Sequence, residues 1–203
     1  GLRIAKGIGA RHFGVVGYCA LACGSLAEAL QRMERYHASV YDVNPARVTM
    51  GPNQVVMEWG VERGRPGALV DETAIASLVQ LARDMTGQAI RIREVGFVNP
   101  RPDDVSAYEA FFGGVVRFDQ PVTRVVIDAE YLGLPMRKSD PALLALMDRQ
   151  AEQLLRDVAQ VPAVVEAWRK TLVPLIREGQ TSLAALAKAH HTSPRSLQRR
   201  LSE

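Results

Sequence analysis

The stretch TSLAALAKAHHTSPRSLQRRL, residues 181 to 201, leaves few folds open to the end of this chain. Ser182 can cap a helix whose Leu183, Leu186 and Ala187 face inward. Ser193 can cap a second helix that has Pro194 at its first position, where the missing N–H is harmless. His190, His191 and Thr192 alone separate the two, so the chain must reverse within a three-residue turn. Ala187 is small enough for the helices to cross closely, and Leu197 and Leu201, one turn apart, are expected to face the first helix. At about 100° per residue, Arg195 and Arg199 then project almost opposite the leucines, Gln198 and Ser196 flank them, and Arg200 lies nearer the packed edge.

Two short helices with a tight turn and an outward face of Arg, Gln and Ser match a helix-turn-helix, whose second helix enters the major groove of double-stranded DNA. Arg195 and Arg199 are the candidates for guanine contacts and Gln198 for adenine, with Ser196 beside them. Arg200, Lys188 and Ser182 are better placed for phosphates, which position a protein without specifying sequence. Charge agrees: the overall +3 is unevenly spread, since residues 163 to 203 carry seven Lys or Arg against three acids while the rest is near neutral. A local positive excess attracts polyanions. The competing reading is a solvated basic helix packed on a helical hairpin.

The body mixes helices and strands. Leu26, Ala29, Leu30, Met33 and Tyr36 recur at spacings of three and four behind Ser25, a plausible N-cap with Glu28 three residues on, and predict an amphipathic helix. Val55, Met57, Trp59 and Val61 alternate as in a half-buried strand, which Arg47 to Met50 can join through a Gly51-Pro52-Asn53 turn. A helix is expected from about Asp71 to Thr86, closed by Gly87. In AIRIREVGF the apolar residues change parity, Ile90 and Ile92 against Val95 and Phe97, which predicts a bulge near Arg93 or Glu94. Further on, Asp103 to Phe112 reads as a short helix, Val115–Phe118 and Arg124–Asp128 as two strands joined through Asp119, Gln120 and Pro121, and Pro141 to Gln160 as a long amphipathic helix. The two apparent hairpins favour antiparallel pairing, and hence an α+β fold over a doubly wound sheet. After a boundary at Val161-Pro162 the apolar set from Val164 to Ile176 predicts another helix, bent or split at Pro174.

No catalytic constellation, phosphate loop or metal-spaced ligand set is visible, so neither an enzyme nor a metal or cofactor site is expected. Trp59, Glu94, Tyr108 and Phe111 are candidates for lining a small-molecule cavity, against the simpler reading that the aromatics are core and Glu94 is solvated. Cys19 and Cys23, four apart, lack further ligands nearby and read as small buried residues of a reducing cytoplasm. The uncharged run from Phe13 to Ala27 imitates an export signal, but it is glycine-broken and shorter than a membrane span.

SLAALAKAHHTSPRSLQRRL resembles the first helix-turn-helix of AraC-type bacterial transcriptional regulators, in which Ser-Pro-Arg-x-Leu-x-Arg-x-Leu is matched by Ser193, Pro194, Arg195, Leu197, Arg199 and Leu201. HFGVVGYCALACGSLAEAL, VGFVNPRPDDVSAYEAFFGGVVRF and LGLPMRKSDPAL resemble the N-terminal effector domain of the branch with an arabinose-binding-like domain. Two departures stand out: His190, His191 and Thr192 replace an apolar turn that often holds Gly, and Asn99 replaces the His of a His-Pro-x-Pro stretch. The resemblance implies an effector domain over residues 1–161, begun inside its N-terminal part, and the first of two helix-turn-helix units over 162–203, as in a truncated regulator. The function it implies is sequence-specific DNA binding controlled by a small-molecule effector, in the cytoplasm, with a homodimer as candidate assembly and no membrane partner. The alternative is a sensor or interaction module acting through protein partners.

Overall fold

Gly51, Pro52 and Asn53 do turn the chain between β1 (Ala46–Met50) and β2 (Gln54–Trp59), which pair antiparallel from Met50↔Val55 to Ala46↔Trp59. The computed structural model describes residues 1–39, 44–159 and 163–202, and the chain divides into two compact units, Gly1–Leu155 and Arg156–Glu203. The expected boundary at Val161-Pro162 lies outside the described residues.

In the first unit β2 pairs with β5 (Thr123–Asp128), β5 with β3 (Glu94–Gly96), and β3 with β4 (Val115–Arg117), giving a sheet ordered β1-β2-β5-β3-β4 among the described residues. All neighbours are antiparallel except β3 and β4. The fold is therefore α+β, but the second expected hairpin does not form: β3 inserts between β4 and β5. The physical reason is burial. Val95 and Phe97 are fully buried and need cover on both sides, whereas Val115 is half exposed and tolerates an edge. The parity change before β3 is absorbed as a bulge would absorb it. The Arg93 N–H donates to the Val126 carbonyl at 2.9 Å while Glu94 is the register partner of that same Val126, so two residues stand against one. Regular pairing begins only at Glu94, and Ile90 and Ile92 reach the core from outside the strand.

Helices cover the inner face, where Val55, Met57 and Trp59 of β2 align with Ile127, Val125 and Thr123 of β5. Helices α1 (Leu2–Ala5) and α2 (Gly14–Ala22) have no predicted counterpart. Most of the run that imitates an export signal forms α2, apolar on every side and buried at Val16, Cys19, Ala20 and Ala22, the pattern of a core helix. Gly17 lets it lie against the turn Ala10–Phe13, since a Cβ there would run into the Ala10 carbonyl. Next, α3 (Leu26–Tyr36) starts as expected, Ser25 Oγ accepting the Glu28 N–H at 3.3 Å.

One further helix on this face, α4 (Ala68–Thr86), starts three residues before the predicted Asp71 and stops at Gly87, whose φ of 70° is left-handed. Asp71, in its first turn, ties it to the sheet: the carboxylate accepts from the Thr123 hydroxyl at 2.7 Å and from the Asn99 amide at 3.2 Å. Asn99 thus does a structural job at the departure from the family pattern. Burial pushes the Asp71 carboxyl upward, with the Thr123 and Asn99 hydrogen bonds opposing.

Past β3 come α5 (Ser106–Phe112), three residues shorter than predicted, and α6 (Pro141–Ala159), which packs Ala151 against Tyr36, Val16 and Cys19. Arg32 and Arg35 of α3 hold α6 through Asp148 and Glu152, each at 2.9 Å.

The second unit contains α7 (Ala163–Arg177), α8 (Leu183–Ala189) and α9 (Pro194–Ser202). Helix α7 runs through Pro174 without being split. Trp168 of α7, Leu186 and Ala187 of α8 and Leu197 of α9 form the core, with Leu172 and Leu175 packed on it.

Both cysteines are fully buried. Burial pushes the Cys19 thiol up to about 12 and the Cys23 thiol to about 11, from an ordinary 9.0. Two results are expected. The native thiols should resist a disulfide reagent at pH 8 while the urea-unfolded chain reacts fully. Between pH 9 and 11 the unfolded thiols ionise and the folded ones stay protonated, so stability should fall across that window. Cys19→Ala with Cys23→Ala should flatten the decline, read from urea titrations at each pH.

Candidate nucleic-acid interface and ligand cavity

The turn between α8 and α9 is built from backbone hydrogen bonds and two caps. Ser182 Oγ accepts the Ala185 N–H and Ser193 Oγ the Ser196 N–H, both at 3.1 Å. His190, His191 and Thr192 donate their N–H groups to the carbonyls of Leu186, Lys188 and Ala187 at 3.1, 3.1 and 2.9 Å. His191 takes a φ of 50°, the left-handed conformation glycine adopts freely, at a cost of about 1–2 kcal/mol for an L side chain. The departure from a glycine-bearing turn is therefore met by backbone strain, and the turn keeps its hydrogen bonds.

Fully buried Leu197 sets the orientation of α9. Arg195 and Arg199 stand about 160° round the helix from it, one before it and one after it along the axis. Both are exposed, as are Gln198 and Arg200; Ser196 is half-buried, and its hydroxyl lies 2.9 Å from the capping Ser193 Oγ. Exposed Lys188 lies in the last turn of α8, and exposed Ser182 is its N-cap. Two expected inward leucines are corrected. Leu201 is 55 % exposed and Leu183 38 %, because the core of this unit is centred on Trp168 and reaches only the middle of each short helix. Trp168 is the residue that the two-helix reading missed; its signal is the helical period of the segment before the motif.

The first unit holds an apolar cavity of about 100 Å³ between the inner face of the sheet and helices α2, α3 and α4. Trp59 lines it, together with Met57, Val125 and Ile127 from the sheet, Leu30 and Met33 from α3, and Val79, Ala82 and Met85 from α4.

The structure does not bring the other three candidates to this wall. Glu94 is on the outer face of the sheet, 3.2 Å from Arg117 and 3.9 Å from Arg124. Tyr108 packs edge-on against Phe97 and Phe118, with ring centroids 6.2 and 5.4 Å apart. Its phenol is pushed up to about 12 by burial, reinforced by a hydrogen bond with Glu72. Phe111 lies under the Arg83 guanidinium at 5.1 Å. Met33, Met57 and Met85 are the wall residues that reading for aromatics passed over; their signal was an apolar position on each amphipathic element. Among the described residues no group of three or more His, Cys, Asp or Glu is placed to hold a metal, and no helix is long and apolar enough to cross a membrane.

Residues 1–136 match the family described as the arabinose-binding domain of AraC transcription regulators, N-terminal. Over 206 residues, all of this chain and 60 % of the relative, the chain is 27 % identical to the ornithine utilization regulator of Pseudomonas aeruginosa. It is also 27 % identical over 209 residues to the HTH-type transcriptional regulator VirS of Mycobacterium tuberculosis, covering 99 % of this chain and again 60 % of the relative. The chain thus spans about 60 % of the length of these curated relatives. The crystal structure of the transcriptional regulator CdpR from Pseudomonas aeruginosa shares the fold, with a TM-score of 0.61 at 19 % identity over 99 % of this chain and 66 % of that one.

Proposed function

Because the chain belongs to the AraC family of transcription regulators, through its arabinose-binding N-terminal domain, we propose that it reads double-stranded DNA under the control of a small effector. Residues 1–161 bind the effector and residues 162–203 supply one helix-turn-helix. The observation that carries this reading is the burial of Leu197, which leaves Arg195 and Arg199 on the opposite, exposed side of α9.

Arg195 and Arg199 each present a planar fork that fits two acceptors on guanine, Gln198 matches the donor and acceptor pair of adenine, and Ser196 flanks them. Arg200, Lys188 and Ser182 hold phosphates and set the register. The protein acts in the cytoplasm, and a homodimer is the assembly that would pair two such readers on a two-fold operator. Effector binding then biases the DNA-reading half through a coupling free energy between two sites.

Affinity for promoter fragments, titrated against salt, tests this. A steep fall in affinity with salt and a preferred sequence are expected. Arg195→Ala and Arg199→Ala should each weaken the preferred site by about 1–3 kcal/mol and relax discrimination, while Lys188→Ala weakens all sequences alike. A flat salt response with no preferred sequence would favour the alternative, a sensor acting through protein partners.

A further inference from the structure

We infer that the cavity of the first unit takes a compact hydrocarbon group, an apolar molecule or the tail of an amphiphile, in preference to a polar ligand of equal size. This rests on the reading of that unit as the effector-binding part and narrows the class of effector.

Chemistry of the wall carries the inference. Of its twenty residues none bears a charge, a hydroxyl or an amide, and the indole N–H of Trp59 is the single hydrogen-bonding side-chain group. A sugar or an amino acid placed there would lose water from each polar group and gain almost no partner, which disfavours it strongly. Charged side chains on the same helices are engaged elsewhere: Arg32 with Asp148, and Asp71 with Thr123 and Asn99. The backbone of β2 and β5 is committed to the ladder between them.

Size and softness agree. A cavity of about 100 Å³ is of the order of the apolar voids that stay dry and bind benzene. Met33, Met57 and Met85 enter from α3, β2 and α4, so three sides of the wall carry unbranched side chains that re-pack around hydrocarbon.

The test uses the whole chain labelled at the methionine methyl carbons, titrated separately with toluene, hexanoate and L-arabinose. Toluene should move the Met33, Met57 and Met85 resonances saturably and leave Met50, exposed on β1, in place. Ala29→Leu, which fills the cavity, should weaken toluene binding by roughly tenfold or more; Ala82→Leu serves if the first variant does not fold. Hexanoate moving the same methyls supports the inference from the amphiphile side. If arabinose moves them and toluene does not, the cavity is a ligand site and the hydrocarbon class is wrong. If no probe moves them up to the aqueous solubility of toluene, the cavity takes no ligand, and both this inference and the assignment of the cavity as the effector site fall.

Discussion

Leu197→Ala is expected to unfold the Arg156–Glu203 unit and, with it, to remove DNA affinity on every sequence. Leu197 is the fully buried member of a core otherwise made of Trp168, Leu186 and Ala187. Truncating a packed leucine costs about 2–5 kcal/mol, which is comparable to the whole stability of a unit this short. The readout is local: Trp168 is 4 % exposed in the folded unit, so its emission should move to the red as the core opens. Leu201→Ala is the control, since a residue 55 % exposed should change stability by no more than about 0.5 kcal/mol. The pattern separates packing from reading. Arg195→Ala acts most on the preferred operator, whereas loss of Leu197 removes the surface that any operator would meet. A Leu197→Ala protein with native Trp168 emission and unchanged melting would refute the three-helix core.

Phe97→Ala should cost the first unit about 3–5 kcal/mol, seen as a lowered urea midpoint with unchanged slope. Phe97 is fully buried, and its ring centroid is 6.2 Å from Tyr108, 6.0 Å from Phe112 and 5.7 Å from Phe118. Removing it leaves a hole with three rings around it and loses their edge and face contacts as well. Tyr108→Phe, which keeps the ring and loses the bond to Glu72, should cost only about 1 kcal/mol. This contrast decides what the aromatics of α5 are for. A loss below about 1.5 kcal/mol for Phe97→Ala would mean that the cluster is loosely packed and that Tyr108 is free for another role.

Where local pattern carried enough information, the chain was legible. Ser25, Ser182 and Ser193 were readable as caps because capping needs only the residue and an amide three positions on. The β1–β2 hairpin was readable because its turn is short, and the parity break at Arg93 and Glu94 was visible because side chains alternate strictly along a strand. The order of strands was not legible: β4 and β5 are neighbours in sequence, but the insertion of β3 depends on how much apolar surface Val95 and Phe97 must cover. Helix α2 escaped because a helix apolar on all sides has no period to detect.

By itself the sequence determined the two-helix motif, its outward arginines, the hairpin and the α+β class, since these rest on propensity, spacing and charge within a few residues. Only the tertiary structure decided which apolar residues are core and which enclose space. Tyr108, Phe111 and Glu94 went to ring packing, an Arg83 contact and surface ion pairs, while Trp59 and three methionines surround the cavity. Whether apolar surfaces from four distant segments meet fully or leave a gap depends on the positions of whole elements, and those are set by the summed packing of the unit.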